Sequence, residues 1–263
     1  GTLLNAMTVF TDITKPTTAA KIAVLRSSDK GVTWPDPPVT VNVVANLPIV
    51  DPKTRVGVRS GGALPSIAVD ASTGKVYVVW QDSRFTGLRN GVALATSTDG
   101  GLTWSPLVQV NSVPGTNAFT PAISAGGGRI AVSYYDFRFD VPSDSSQLQV
   151  NSWLATSTDD GATWQETALA GPFNLYTAPV AEGFFLGDYQ GAAWDGAAFL
   201  SFFSATNSGN LADRTSLQFR RVEPGAPAAM HAWLDRIRPD RWLRSWLRPS
   251  ERAGRPAAAR TAR

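Results

Sequence analysis

Short runs in which apolar residues alternate with small or polar ones recur along the first 222 positions. Lys21-Ile22-Ala23-Val24-Leu25-Arg26, Gly91-Val92-Ala93-Leu94-Ala95-Thr96 and Val150-Asn151-Ser152-Trp153-Leu154-Ala155-Thr156 each precede a glycine-containing turn. A second run, such as Leu107-Val108-Gln109-Val110, follows. A period of two bounded by turn residues predicts strands, and strand–turn–strand predicts hairpins. Three more pairs read the same way: 66–70 with 75–80, 121–124 with 129–135, and 183–194 with 197–203. Their turns carry Gly74, Gly126 to Gly128, and Asp195-Gly196. Taken together the runs make a unit of four antiparallel strands, a–b–c–d.

The c–d turn is one motif met three times, S-x-D-x-G-x-T-W, starting at Ser27, Ser97 and Ser157. Its fixed members are Asp29, Gly31 and Trp34, then Asp99, Gly101 and Trp104, then Asp159, Gly161 and Trp164. A short Asp accepts hydrogen bonds from the turn's own N–H groups. Gly tolerates positive φ, Thr suits the outgoing strand, and Trp offers an apolar face to a neighbouring sheet. This chemistry is structural. Four short strands per period predict an all-β fold, a β-propeller. The chain divides into an incomplete blade before about 45, blades at about 65–111 and 119–170, and one at about 183–222 that lacks its last strand. The outer units look cut, so closure by further blades or a second chain at the open edge is expected.

Composition narrows the chemistry. There is no cysteine, so thiolate metal sites and a cysteine nucleophile are excluded. The single histidine, His231, lies beyond the repeats, which removes a Ser-His-Asp triad from them. Asp140 and Asp144 are too sparse to assign a calcium loop or to exclude one. Neither a metal nor a cofactor is expected. No apolar run approaches the ~18 residues of a membrane span, and residues 1–5 show no leader pattern. The net charge of +3 hides a division. Nine arginines against Asp235, Asp240 and Glu251 give +6 over residues 225–263, leaving −3 for the rest. The body is mildly acidic, and no nucleic-acid partner is expected. Two domains follow: residues 1–223, the propeller, and 224–263, an Arg/Ala/Pro-rich tail. In the tail Met230, Trp233, Leu234 and Ile237 fall at helical spacing, and Trp242, Leu243, Trp246 and Leu247 resume it. A helical cap or a disordered extension is expected there, ahead of a membrane-surface helix.

The S-x-D-x-G-x-T-W turns resemble the Asp box, or BNR repeat, of the sialidase (neuraminidase) superfamily, and the chain is similar to bacterial sialidase-like proteins over roughly residues 5–222. The resemblance implies a propeller, usually six-bladed, of which about four blades are present here. It also implies an extracellular or cell-surface protein acting on a glycan or sialoside, and Asp boxes on the face away from the ligand. The opposite face, built by b–c loops and d-to-a connections, is where site residues are expected.

Two features repeat there: Trp80-Gln81-Asp82-Ser83-Arg84 and Tyr134-Tyr135-Asp136-Phe137-Arg138, both aromatic-x-Asp-x-Arg at the end of strand b. The connection from Asn46 to Leu64 adds Arg55 and Arg59, and the fourth blade begins Glu182-Gly183-Phe184-Phe185-Leu186-Gly187-Asp188-Tyr189-Gln190-Gly191. A retaining exo-sialidase needs an arginine cluster for the sugar carboxylate, a tyrosine nucleophile activated by a glutamate, and a carboxylic acid. The resemblance implies Arg59, Arg84 and Arg138, with Asp188, for substrate binding. It implies Tyr189 with Glu182, and Asp82 or Asp136, for catalysis. The family's Phe/Tyr-Arg-Ile-Pro motif is absent. Two other readings stand beside this one: a non-catalytic propeller binding carbohydrate or protein, and a two-carboxylate glycosidase without sialic acid specificity. The two-carboxylate reading uses Asp82 and Asp136 as its carboxylates; a structural alternative makes the Asp82/Arg84 and Asp136/Arg138 pairs ion pairs repeated because the blades repeat.

Overall fold

A computed structural model of the chain describes residues 1–12, 14 and 20–225. The helical tail expected from Met230 onward, and His231, lie outside the described residues.

Four sheets carry the repeat. The first holds β1 (Leu3–Phe10), β2 (Ala20–Ser27) and β3 (Val39–Val43). The second holds β6 (Ser66–Val69), β7 (Val76–Asp82), β8 (Gly91–Ser97) and β9 (Val108–Gln109). The third holds β10 (Ala118–Gly126), β11 (Arg129–Asp136), β12 (Gln149–Ser157) and β13 (Gln165–Asn174). The fourth holds β15 (Gly191–Trp194), β16 (Phe199–Thr206) and β17 (Thr215–Val222). Every pairing within these sheets is antiparallel. The motif turns join β2 to β3, β8 to β9 and β12 to β13, as expected of c–d turns. By the same register the first blade lacks strand a and the fourth lacks strand d among the described residues.

The core lies between blades, and the strand period explains why. Along β7, Val78 and Trp80 face blade 1, packing with Ile22, Val24 and Val41. Their alternates Tyr77 and Val79 face blade 3, packing with Ile130, Val132 and Tyr134 of β11. The other face of β11 presents Ala131 and Tyr135 to Phe199 and Phe203 of blade 4. A strand covered on both faces must be apolar at both sets of alternate positions. Hence β7 and β11 are buried almost throughout. Each large apolar side chain so buried contributes roughly 1.5–3 kcal/mol.

The expected strand at 183–194 is instead two elements. Gly183 (φ +133) and Gly187 (φ +110) turn the backbone where only glycine is at ease. Between them β14 (Phe184–Phe185) leaves the blade and pairs in parallel with β5 (Gly57–Arg59). β5 is in turn hairpinned to β4 (Ile49–Val50). This small sheet is a strap. It joins the connection between blades 1 and 2 to the connection between blades 3 and 4. Ile49, Val58, Phe184 and Leu186 bury their apolar side chains in the cluster under blades 3 and 4.

Candidate functional site

The three Asp boxes are closed on themselves. Ser27 Oγ donates to Asp29 Oδ1 at 2.7 Å, and Thr33 donates from N to Oδ1 at 2.9 Å and from Oγ1 to Oδ2 at 2.5 Å. The Gly31 N–H donates back to Ser27 Oγ at 2.8 Å. Asp99 and Asp159 repeat the pattern with Thr103 and Thr163. The Thr33 bonds hold Asp29 down to about 2, and the Thr163 bonds hold Asp159 there too. The second and third boxes dock on the preceding blade. Arg26 Nε of β2 donates to Gly100 O at 2.7 Å, and a side chain on Gly161 would meet Leu94 of β8. Trp104 and Trp164 pack accordingly between blades. Trp34 is left exposed, because no described blade precedes the first.

The aromatic-x-Asp-x-Arg repeats are closed as well. Asp82 is fully buried and accepts from Trp80 Nε1 at 2.9 Å, Ala45 N at 3.2 Å and Arg84 Nε at 2.8 Å. Arg84 then reaches outward to Asn42 Oδ1 at 2.9 Å and to Val43 O, on the outer strand of blade 1. Asp136, also fully buried, accepts from Trp153 Nε1 at 2.9 Å and Arg138 Nε at 2.5 Å. Arg138 continues to Glu166 Oε2 at 2.7 Å and lies over the Trp153 ring at 3.8 Å. Glu166 also accepts from Ser112 and from the Tyr134 hydroxyl. Burial pushes the Asp136 carboxyl up against the opposing pull of Arg138. For Glu166 burial is outweighed by its bonds to Arg138, Ser112 and Tyr134, so it sits below the usual carboxylate range. Glu166 and Ser112 belong to blades 3 and 2, so the network ties one blade to the next. Nothing in the spacing of Glu166 marked it beforehand, because its partners come from other strands.

A different cluster forms where strands a of blades 2, 3 and 4 begin, on the face opposite the Asp boxes. The strap brings Arg59 to Asp188, Nε to Oδ1 at 3.0 Å and Nη2 to Oδ2 at 2.7 Å. The pair is partly open, with side chains 38% and 23% exposed. The guanidinium lies 4.6 Å from the Phe185 ring, and Glu182 adds negative charge that, with Asp188, holds Arg59 protonated. Tyr189 is 74% exposed beside them. Next to this group is a cleft of about 70 Å³ lined by Ser60, Leu64, Ser66, Thr120, Asp188 and Gln190, among others. Arg59 and Asp188 are therefore brought together, with Glu182 within electrostatic reach of Arg59 and Tyr189 lining the cleft next to Asp188. Arg84 and Arg138 take separate partners on the outer parts of the blades.

No family model matches the chain. Over 163 residues, 57% of the chain, it is 29% identical to a xyloglucanase from a Paenibacillus species, 13% of which is covered. A solved protein of unknown function from Dyadobacter fermentans superposes with a TM-score of 0.50 at 19% identity, over 85% of this chain and 50% of that one. The α-L-arabinanase of Penicillium chrysogenum, solved with arabinobiose, superposes with a TM-score of 0.50 at 16% identity, over 89% and 63%. The fold is a β-propeller. The chain spans less than two thirds of each of these relatives.

In this propeller the sequence left Thr120 and Gln190 unmarked as site residues. Thr120 sits at φ +49 within an irregularity of the β10–β11 ladder, between Phe119 and Ala122. A β-branched residue there is strained. Its Oγ1 donates to Ser60 O at 3.0 Å, and its carbonyl accepts from Gln190 Nε2 at 2.7 Å. Among the described residues no group of three or more His, Cys, Asp and Glu side chains is arranged to hold a metal ion.

Proposed function

We propose that this propeller handles glycans as the substrate-binding body of a glycoside hydrolase, outside the cell, with the sugar at the Arg59–Asp188–Tyr189 mouth. The observation that carries the reading is an exposed tyrosine ring beside a half-open arginine–carboxylate pair. A sugar ring offers an apolar C–H face to an aromatic side chain, and hydroxyls that both donate and accept. Arg59 donates, Asp188 accepts, and Tyr189 supplies the face. For hydrolysis, Glu182 and Asp188 are the two carboxylates with access to a ligand. Asp82 and Asp136 have no exposed surface to offer. A neutral glycan is favoured over a sialoside, because Arg84 and Arg138 are already engaged by Asp82, Asp136 and Glu166. The name of the xyloglucanase relative supports the same side. The exposure of Tyr189 and the nearness of Glu182 to Arg59 favour a second reading, a retaining sialidase with Tyr189 as nucleophile.

The two separate on one residue. The wild-type chain, Tyr189→Phe and Tyr189→Ala are compared on a panel of neutral oligosaccharides and chromogenic glycosides and on a fluorogenic sialoside. A stacking platform predicts that Phe binds neutral glycans within about twofold of Tyr, whereas Ala weakens them roughly tenfold, as loss of ~1.4 kcal/mol requires. A nucleophile predicts sialoside turnover that Phe abolishes. Binding without product leaves a carbohydrate-binding propeller. If no glycan is bound or cleaved, the proposal fails.

A further inference from the structure

Box docking needs a box and a receiving blade. Blade 1 receives the second box on Leu4 and Arg26, a cross-strand pair of β1 and β2. Arg26 Nε donates to Gly100 O at 2.7 Å, and a side chain on Gly101 would touch Leu4. Blade 2 receives the third box at the same register, where Tyr77 pairs with Thr96. The Tyr77 hydroxyl donates to Asp160 Oδ1 at 2.8 Å, and Lys75 Nζ meets Oδ2 at 2.5 Å. Two residues before Arg26 and Thr96 on the receiving strands, Val24 and Leu94 are buried.

Blade 4 repeats the receiving surface and leaves it uncovered among the described residues. Leu200 pairs with Arg221 as Leu4 does with Arg26, each pair following the first of its ladder, Phe199 with Val222 and Leu3 with Ser27. Phe219 then stands where Val24 and Leu94 stand, paired across the strands with Phe202. Phe199 and Phe203 are buried in the cluster with blade 3, so alternation turns Leu200 and Phe202 to the opposite face. On that face Leu217 is 60% and Phe202 40% exposed, and the Phe202 ring lies 5.2 Å from that of Phe219.

The first box is the matching unseated part. Trp34 is 39% exposed, whereas Trp104 and Trp164 pack between blades. Charge fits the two together. The fourth position of the motif is Gly100 beside Arg26, Asp160 beside Lys75, and in the first box an exposed Lys30. Blade 4 offers carboxylates at the corresponding edge. Asp195 of its a–b turn and Glu223 after β17 accept from Arg221 at 2.9 and 2.7 Å. The signs of the Lys75–Asp160 contact are thereby reversed.

We propose that the chain associates head to tail with a second copy of itself, the first Asp box of one copy seated on the Leu200–Arg221 face of the other. Arg221 donates to the Lys30 carbonyl as Arg26 does to that of Gly100, and Trp34 covers Phe219 and Leu217. A second copy is the occupant because it carries a box with no receiving blade among the described residues. The contact is heterologous: two copies close it into a ring of eight blades, within the range of propellers, or it runs on into longer assemblies. It stands apart from the glycan reading and survives that reading's failure.

The test is sedimentation of the full 263-residue chain at concentrations up to about 100 μM. Dimers or longer assemblies are expected. Trp34→Ala should weaken association about tenfold or more, as for a tryptophan at the centre of an interface. Leu217→Asp should do the same from the other side. Mixed in equal amounts, these two variants should form a one-to-one heterodimer, since one keeps an intact blade 4 and the other an intact box. Circular dichroism checks their folding, and Lys30→Glu with Arg221→Glu, both at exposed positions, replace a pair that fails to fold. A wild-type chain that stays monomeric overturns the proposal. So does association that both substitutions leave unmoved, or variants that fail to complement each other. A monomer whose residues 226–263 resist trypsin until Leu217→Asp is introduced overturns it too, and gives the face to the chain's own tail.

Discussion

The polar groups that repeat from blade to blade and those that occur once at the axial mouth behave in opposite ways. In the Asp boxes and the aromatic-x-Asp-x-Arg clusters, each carboxylate is matched by donors from its own or the adjoining blade. At the mouth, Arg59 and Asp188 are partly open, Tyr189 stands in solvent, and Gln190 Oε1 has no donor among the described residues. Repetition here marks what every blade needs in order to stack. Function is to be sought in the residues that do not repeat, because a ligand on the axis would meet each blade differently.

The comparison is broken most forcefully at Arg138. Replacing it with Met leaves Asp136 and Glu166 buried without their cation, and a loss of about 3–5 kcal/mol is expected by urea denaturation. Arg84→Met is expected to cost distinctly less, because Asp82 keeps the Trp80 and Ala45 donors. Equal losses would show that the two repeats are not graded by burial. Gly183→Ala comes next. A methyl group there sits 2.4 Å from Gly57 O at φ +133, so about 1–3 kcal/mol should be lost. The strap that presents Arg59 should loosen, lowering glycan affinity in the same variant while the Asp boxes stay intact. The smallest effect concerns acid. Asp29 and Asp159 have folded values near 2, below the ordinary 3.8. Their contribution is therefore complete above about pH 4–5 and fades as pH falls toward 2. Asp159→Asn should flatten the melting temperature between pH 5 and 2.5 relative to wild type. An unchanged acid slope would separate the boxes from acid stability.

Much of the fold was legible because it rests on local rules. The box turns, the two-residue period and the four-strand unit are properties of consecutive residues, and they recur. The division of 183–194 was not legible from alternation alone, since Phe184 and Phe185 suit a strand wherever they pair. Two positive-φ glycines decide that they pair with Val58 and Arg59 instead. At the site, Arg59, Asp188, Tyr189 and Glu182 could be nominated from topology. Thr120, Gln190 and Glu166 could not, because each draws its meaning from partners that chain folding brings from other strands.

The strap carries one more consequence, about time. Arg59 and Asp188 are 129 residues apart, and their pair forms across the parallel contact of β5 with β14. Contacts so distant in sequence bear a loop-closure penalty that is met only after the intervening units have packed. Packing of blades 2 and 3 therefore comes before the Arg59–Asp188 pair. A chain still emerging from the ribosome carries Arg59 before Asp188 has been made, so the pair waits for the fourth blade to begin. The Arg59–Asp188 pair is thus a marker of completed packing of blades 2 to 4.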